Sequence, residues 1–246
     1  MLSRAAFHRA LAASIPAVRV DEIEGVEALI SPGAPERSVV NAAILTRPHA
    51  DPAALAEGLA RAYRGAGVHA WTVWVPPGAT ASTSGLEAAG HAFDGEPVGM
   101  WRALSDDDLA EQDGDLDLDP APRLATLAEL NDLAYGTGGS FVRAVEGACD
   151  GPLRLYIARD GGQPVACLLT LDADADCIVD LVTTRADLRG RGLATRLLRR
   201  ALSDARARGQ NSTTLVATAK GAPVYERMGY HRLGPIQMWE RREAPA

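Results

Sequence analysis

The run Asp180-Leu-Val-Thr-Thr-Arg-Ala-Asp-Leu-Arg-Gly-Arg-Gly-Leu-Ala-Thr-Arg-Leu-Leu-Arg-Arg-Ala-Leu202 changes its periodicity twice. An apolar, β-branched stretch breaks into a short arginine and glycine loop, and the loop into a helical pattern. Strand, anion-binding loop and helix follow in that order. Leu193, Leu197, Leu198, Ala201, Leu202 and Ala205 recur at helical spacing, and Arg196, Arg199, Arg200 and Arg206 fall largely between them. Such spacing predicts a helix with one buried and one solvated face. Gly209 stops it, with Arg206 and Arg208 at its negative end.

A helix N-terminus offers unpaired N–H groups and partial positive charge, and Gly190 and Gly192 lack the Cβ that would keep a phosphate off the backbone. The loop suits a pyrophosphate. Its spacing is neither Gly-x-Gly-x-x-Gly nor Gly-x-x-x-x-Gly-Lys-Ser/Thr, which disfavours Rossmann and P-loop readings. Arg189-x-x-Gly192-x-Ala194 instead resembles the Arg/Gln-x-x-Gly-x-Gly/Ala motif of the GNAT acetyltransferase superfamily. Members of that superfamily hold the pyrophosphate of acetyl-CoA on this turn.

The 246 residues exceed one typical domain and fall short of two large ones. With 47% hydrophobic residues the chain can bury a core, and no apolar run reaches membrane-spanning length. The N-terminal arginines faintly imitate a transit peptide, but a plain amphipathic first helix is the expectation, and the protein reads as cytoplasmic. Cys149, Cys167 and Cys177 have no Cys-x-x-Cys spacing, so neither a disulfide framework nor a metal site is indicated. The net charge of -7 is uneven. Residues 1–104 carry -2, residues 105–120 carry -8 and residues 121–246 carry +3. The last value suits an anionic cofactor and is too small for a nucleic-acid footprint.

Strands are expected at Val26–Ile30 and Ser38–Thr46. A helix opened by Asp51-Pro52 should run to Gly65-Ala-Gly67, before a strand ending at Val75 and a short helix stopping at Gly90. Pro97–Leu104 completes an accessory unit, 1–104. Too much like charge to pack makes 105–120 a solvated acidic linker before a second unit, 121–246. There the order is helix (Leu124–Tyr135), glycine loop, short helix, and three antiparallel strands turning at Asp160-Gly-Gly-Gln163 and Asp172–Asp176. After the loop and helix already described come strand Ser212–Ala217, a helix closed by Gly229, and a last strand Tyr230–Glu240. This matches the GNAT fold, an α/β (α+β) fold with a mixed, largely antiparallel sheet.

Pro223-Val-Tyr-Glu-Arg-Met-Gly-Tyr230 also looks like the superfamily's Leu-Tyr-Glu-x-x-Gly-Phe segment, and Met238-Trp239 follows. Leu86-Glu-Ala-Ala-Gly90 and Met100-Trp101 end the first half in a similar way, so the halves read as a tandem repeat whose first copy is degenerate. The resemblance implies direct acetyl transfer from acetyl-CoA to a primary amine of a small molecule or peptide. No metal, nucleic acid or membrane partner is called for, and monomer and homodimer stay open. It implies Val182, Thr183 and Thr184 as the strand edge along the pantetheine arm. Arg189, Gly190, Arg191, Gly192, Leu193, Ala194 and Thr195 would form the pyrophosphate turn, and Thr218 stands where the family often has a pantetheine-binding Asn. Tyr225 matches the general acid; Asp180, and behind it Asp176, are the candidate bases. Tyr135, Phe141 and Glu146 come from the region that walls the acceptor pocket. A non-catalytic acyl-CoA sensor, and a tandem enzyme whose first half shapes the acceptor site, are the alternatives.

Overall fold

The computed structural model describes residues 1–110, 116–149 and 151–244. The first half runs α1 (Leu2–Ser14), β1 (Arg19–Ile23), β2 (Val26–Ile30), β3 (Ala42–Ile44), α2 (Pro52–Gly65), β4 (Ala70–Val75), α3 (Thr83–Ala88), β5 (Ala92–Gly95) and β6 (Val98–Ala103). A short α4 (Asp107–Ala110) follows. The second half runs α5 (Leu124–Tyr135), α6 (Ser140–Ala144), β7 (Arg154–Asp160), β8 (Gln163–Ala173), β9 (Asp176–Thr184), α7 (Leu193–Ala207), β10 (Ser212–Ala217), α8 (Ala222–Glu226), β11 (His231–Pro235) and β12 (Gln237–Arg242).

Two six-stranded mixed sheets result, ordered β1-β2-β3-β4-β12-β5 and β7-β8-β9-β10-β6-β11. In each, three antiparallel strands lead through a helix into a fourth, parallel strand: β3 and β4 around α2, β9 and β10 around α7. The halves are thus repeats of one topology. The last strand of each half is exchanged. β6, from the first half, pairs antiparallel with β10 and β11 of the second. β12, from the second half, pairs with β4 and β5 of the first. The repeated Met-Trp dipeptides occupy these two equivalent strands, Trp101 opposite Thr214 and Trp239 opposite Val73.

Chain continuity and sheet membership therefore differ. The expected last strand, Tyr230–Glu240, is broken at Ile236, whose side chain is buried as the chain crosses between the sheets. The expected strand 38–46 is shorter, because Asn41 turns inward. Its amide donates to Ala34 and Arg37 carbonyls and its Oδ1 accepts from the Ser31 N–H. Strand β1 had no sequence signal, being a polar edge joined to β2 by a tight turn with left-handed φ at Glu24 and Gly25.

The expected solvated linker packs in part against the second half. Asp108 is buried, ion-paired with Arg102 and bonded by the Ser105 N–H, and Asp119 pairs with Arg159. Residues 111–115 of that segment lie outside the described residues. Helix α1 joins the sheets. Phe7, Ile15 and Val18, with Leu29 of β2, share one buried cluster with Leu124, Leu127, Ile157 and Leu169. Among the described residues no helix is long and apolar enough to cross a membrane.

Residues 121–246 expressed alone would lack β6, leaving the facing edges of β10 and β11 unpaired and apolar surface bare. No cooperative thermal transition by circular dichroism is expected from that fragment, against one from the full chain; a sharp two-state melt would contradict the importance of the exchange.

Candidate functional site

The site lies where two parallel strands part. β9 and β10 are in register from Asp176 opposite Ser212 to Val179 opposite Leu215, and beyond that β9 continues to Thr184 without β10 beside it. Leu181 has φ +50, and the β8–β9 register shifts across it. A leucine in this conformation costs about 1–2 kcal/mol, and the bulge turns the end of β9 away from its former plane.

Below this parting the cleft measures about 550 Å³ and is lined by Val182, Thr183, Thr184, Arg189, Gly190, Gly192, Leu193, Ala194 and Thr195. Sequence reading named all of these. Gly190 and Gly192 have φ +79 and +75, and a Cβ built on either would meet nothing within 4 Å. Gly192 begins α7 with no side-chain cap, so open, donor-bearing backbone faces the cleft, as a bound diphosphate would require. Lys220 and Arg227 supply cationic groups to the same cleft.

Several expected residues make contacts within the protein or lie outside the cleft lining. Arg191 is exposed and does not line the cleft, and Arg189 donates to the Thr184 and Ala134 carbonyls. Thr218 accepts the Gly221 N–H and so closes the turn into α8. The Thr183 hydroxyl donates to Asn131 Oδ1 on α5, fixing the strand edge from behind. Asp176, at the far end of β9, accepts from the Ser212 and Thr214 hydroxyls. Glu146 is exposed on another surface, while Phe141 lines a cavity between the halves.

Tyr225 packs its ring edge-on against Tyr230, with centroids 5.8 Å apart, and is largely buried. Burial, and then the neighbouring Tyr135 and Asp180, push its hydroxyl well above the ordinary phenol range. Asp180 is bound on both oxygens. Arg4 of α1 forms an ion pair with one, and the Leu181 N–H donates to the other at 2.7 Å. Arg4 also lies over the Trp74 ring, 4.7 Å from its centroid. No sequence signal could have linked Arg4 to Asp180, which are 176 positions apart.

The equivalent place in the first half is built differently. The Asp51 carboxylate accepts the Ala54 N–H at the start of α2, and Pro52 removes another donor. The strands do not part there, since the Leu45 N–H still bonds the Trp74 carbonyl. That helix terminus already has its anion.

The two halves thus repeat one topology, and the second combines a parted strand pair with an uncapped glycine turn. Residues 151–232 match the family model described as an acetyltransferase (GNAT) domain. Solved structures agree in fold. A GCN5-related N-acetyltransferase from Kribbella flavida superposes with TM-score 0.67 at 16% identity, over 99% of this chain and 95% of its own. A tandem GNAT protein from the clavulanic acid biosynthesis pathway gives 0.57 at 16% identity, over 95% and 86%. A GCN5-related N-acetyltransferase from Sphaerobacter thermophilus gives 0.58 at 17%, over 88% and 76%. No curated protein sequence matches.

Asp132 fixes the loop over this region, taking the Thr137 hydroxyl and the Phe141 and Val142 N–H groups. Burial opposes its charge, yet those donors outweigh it and hold the carboxyl below its usual value. A depressed carboxyl contributes stability that is full above its unfolded value near 3.8 and lost as pH falls through the folded value. Asp132→Ala should therefore cost about 2 kcal/mol or more at pH 7, measured by urea unfolding, with the deficit shrinking at pH 3.

Proposed function

We propose that this protein transfers the acetyl group of acetyl-CoA directly to a primary amine, with Tyr225 as general acid. The observation that carries the reading is the coincidence, near the end of β9, of a parted strand pair, an uncapped glycine turn and the partly buried phenol of Tyr225. Bound acetyl-CoA would supply an activated acyl thioester. The open backbone at Gly190–Thr195 would receive its diphosphate, and the bulged edge Val182–Thr184 would bond the arm that follows.

The amine nitrogen forms the new C–N bond as the C–S bond breaks. Backbone N–H groups of the freed β9 edge stabilise charge on the carbonyl oxygen, and Tyr225 Oη gives its proton to the leaving sulfur. The amine must lose a proton. Asp180, held by Arg4 and Leu181 N–H, has little free capacity to take it directly, so water at the acceptor end is the better relay. The units 1–104 and 121–246 divide the labour. The first, whose own helix start is filled by Asp51, serves the acceptor end through Arg4, and no second acetyl-CoA site is expected.

Isothermal titration of the full chain should give one acetyl-CoA per chain, and Gly192→Asp should abolish that binding, because a negative charge would occupy the phosphate seat. With nothing near the new Cβ except strain from φ +75, the variant should still fold. Two bound molecules, or undiminished affinity in the variant, would refute the assignment.

Tyr225→Phe should lower kcat by about a hundredfold or more with little change in acetyl-CoA affinity, read by thiol release and titration side by side. Equal losses in both would make Tyr225 a binding contact.

A further inference from the structure

Between α1, β2, α6 and the bulge of β9 lies a partly open cavity of about 110 Å³. Its walls are mostly aliphatic and aromatic, contributed by both halves of the chain, and Phe141 closes one side. The ion-paired Arg4 and Asp180, together with His8 and Ser31, break the apolar lining. Both ring nitrogens of His8, which is 1% exposed, and the Ser31 hydroxyl, on a residue 2% exposed, have no hydrogen-bond partner among the described residues. Buried polar groups are rarely left so, since each costs on the order of 1–3 kcal/mol. A chain that packs Phe7 and Leu11 on the same helix could have buried an apolar residue at position 8. At its far end the cavity is bounded by Asp180 and Leu181, the residues directly before the freed edge Val182–Thr184.

We infer that this cavity seats the body of the acceptor, and that the acceptor is a small amine bearing a neutral hydroxyl or amide group received by His8 and Ser31. The inference rests on the acetyl-transfer reading and deepens it by naming the substrate class. By proportion with the ~150 Å³ cavity that holds benzene, the space takes a body of about four heavy atoms. Its nitrogen would then lie toward the end of β9. A neutral imidazole has one donor and one acceptor nitrogen, and a serine hydroxyl serves as either, which matches a hydroxyl or a primary amide. Burial, followed by the charges of Arg4 and Arg9, holds His8 well below the usual histidine range and so uncharged. A carboxylate would be a poor guest, because it would compete with Asp180 for Arg4, the one guanidinium in the lining. A plain alkylamine would leave His8 and Ser31 as they stand.

The test uses the full chain and three probes: 3-aminopropan-1-ol, isosteric n-butylamine and β-alanine. Initial rates with saturating acetyl-CoA should favour the amino alcohol in kcat/KM by at least about tenfold over either other probe, as expected where a site is built to bond a hydroxyl. His8→Phe, which puts a slightly larger apolar ring in place of the imidazole and removes two unpaired buried nitrogens, should raise Tm in the free protein. It should also raise KM for the amino alcohol at least about tenfold and erase the preference, leaving acetyl-CoA affinity within about twofold. Binding is read independently from the imidazole nitrogen shifts of His8 in ¹⁵N-histidine-labelled protein. No shift on adding 3-aminopropan-1-ol, or an unchanged KM and preference in His8→Phe, overturns the cavity assignment and leaves acetyl transfer standing; water alone then fills the space. A clear His8 shift without any transfer overturns the enzymatic reading instead.

Discussion

The exchange of β6 and β12 is the constraint on which the rest depends. Each sheet takes its fifth strand from the other half, and each exchanged strand is hydrogen-bonded on both sides. Neither sheet can close unless both halves are present, so the two cores form together. The exchange also fixes the relative placement of the halves, because the chain passes from β11 to β12 through a single buried residue, Ile236. With so little slack, α1 is held against β8 and β9, and Arg4 reaches Asp180.

That placement gives the degenerate half a physical role. The first copy keeps the strand order and the parallel pair, yet at the start of α2 it carries Asp51 and Pro52 where the second copy leaves an uncapped glycine turn. A fixed carboxylate and a proline at a helix start stabilise the helix and disfavour a second anion there. The same half then supplies Arg4, His8 and Ser31 to the region around the bulge of β9. One copy retains the chemistry's scaffold, and the other encloses it.

Much of the second half was legible in the chain. The helix α7, the hairpins β7–β8 and β8–β9, and the glycine turn all follow from short-range pattern, and Gly190 and Gly192 adopt the left-handed φ that only glycine accepts freely. Val182–Thr184 and the turn residues other than Arg191 line one cleft. Thr218 has a local partner that satisfies it, and Asp180 has a remote one, so their residue types and spacing gave no sign of how their side chains would be engaged.

By itself the sequence determined the repeat, the strand–loop–helix unit and the capping chemistry at each helix start, because these depend on neighbours within a few residues. Only the tertiary structure decided that the Met-Trp strands trade sheets, that Ile236 marks the crossing, and that His8 is buried beside the bulge. Pairing partners of a strand are set by which edges are left open after the whole chain has packed. A periodic pattern can say that Val98–Ala103 and Gln237–Arg242 are strands, but both open edges offer the same backbone donors and acceptors, and the short Ile236 crossing with α1 wedged between the sheets selects one arrangement.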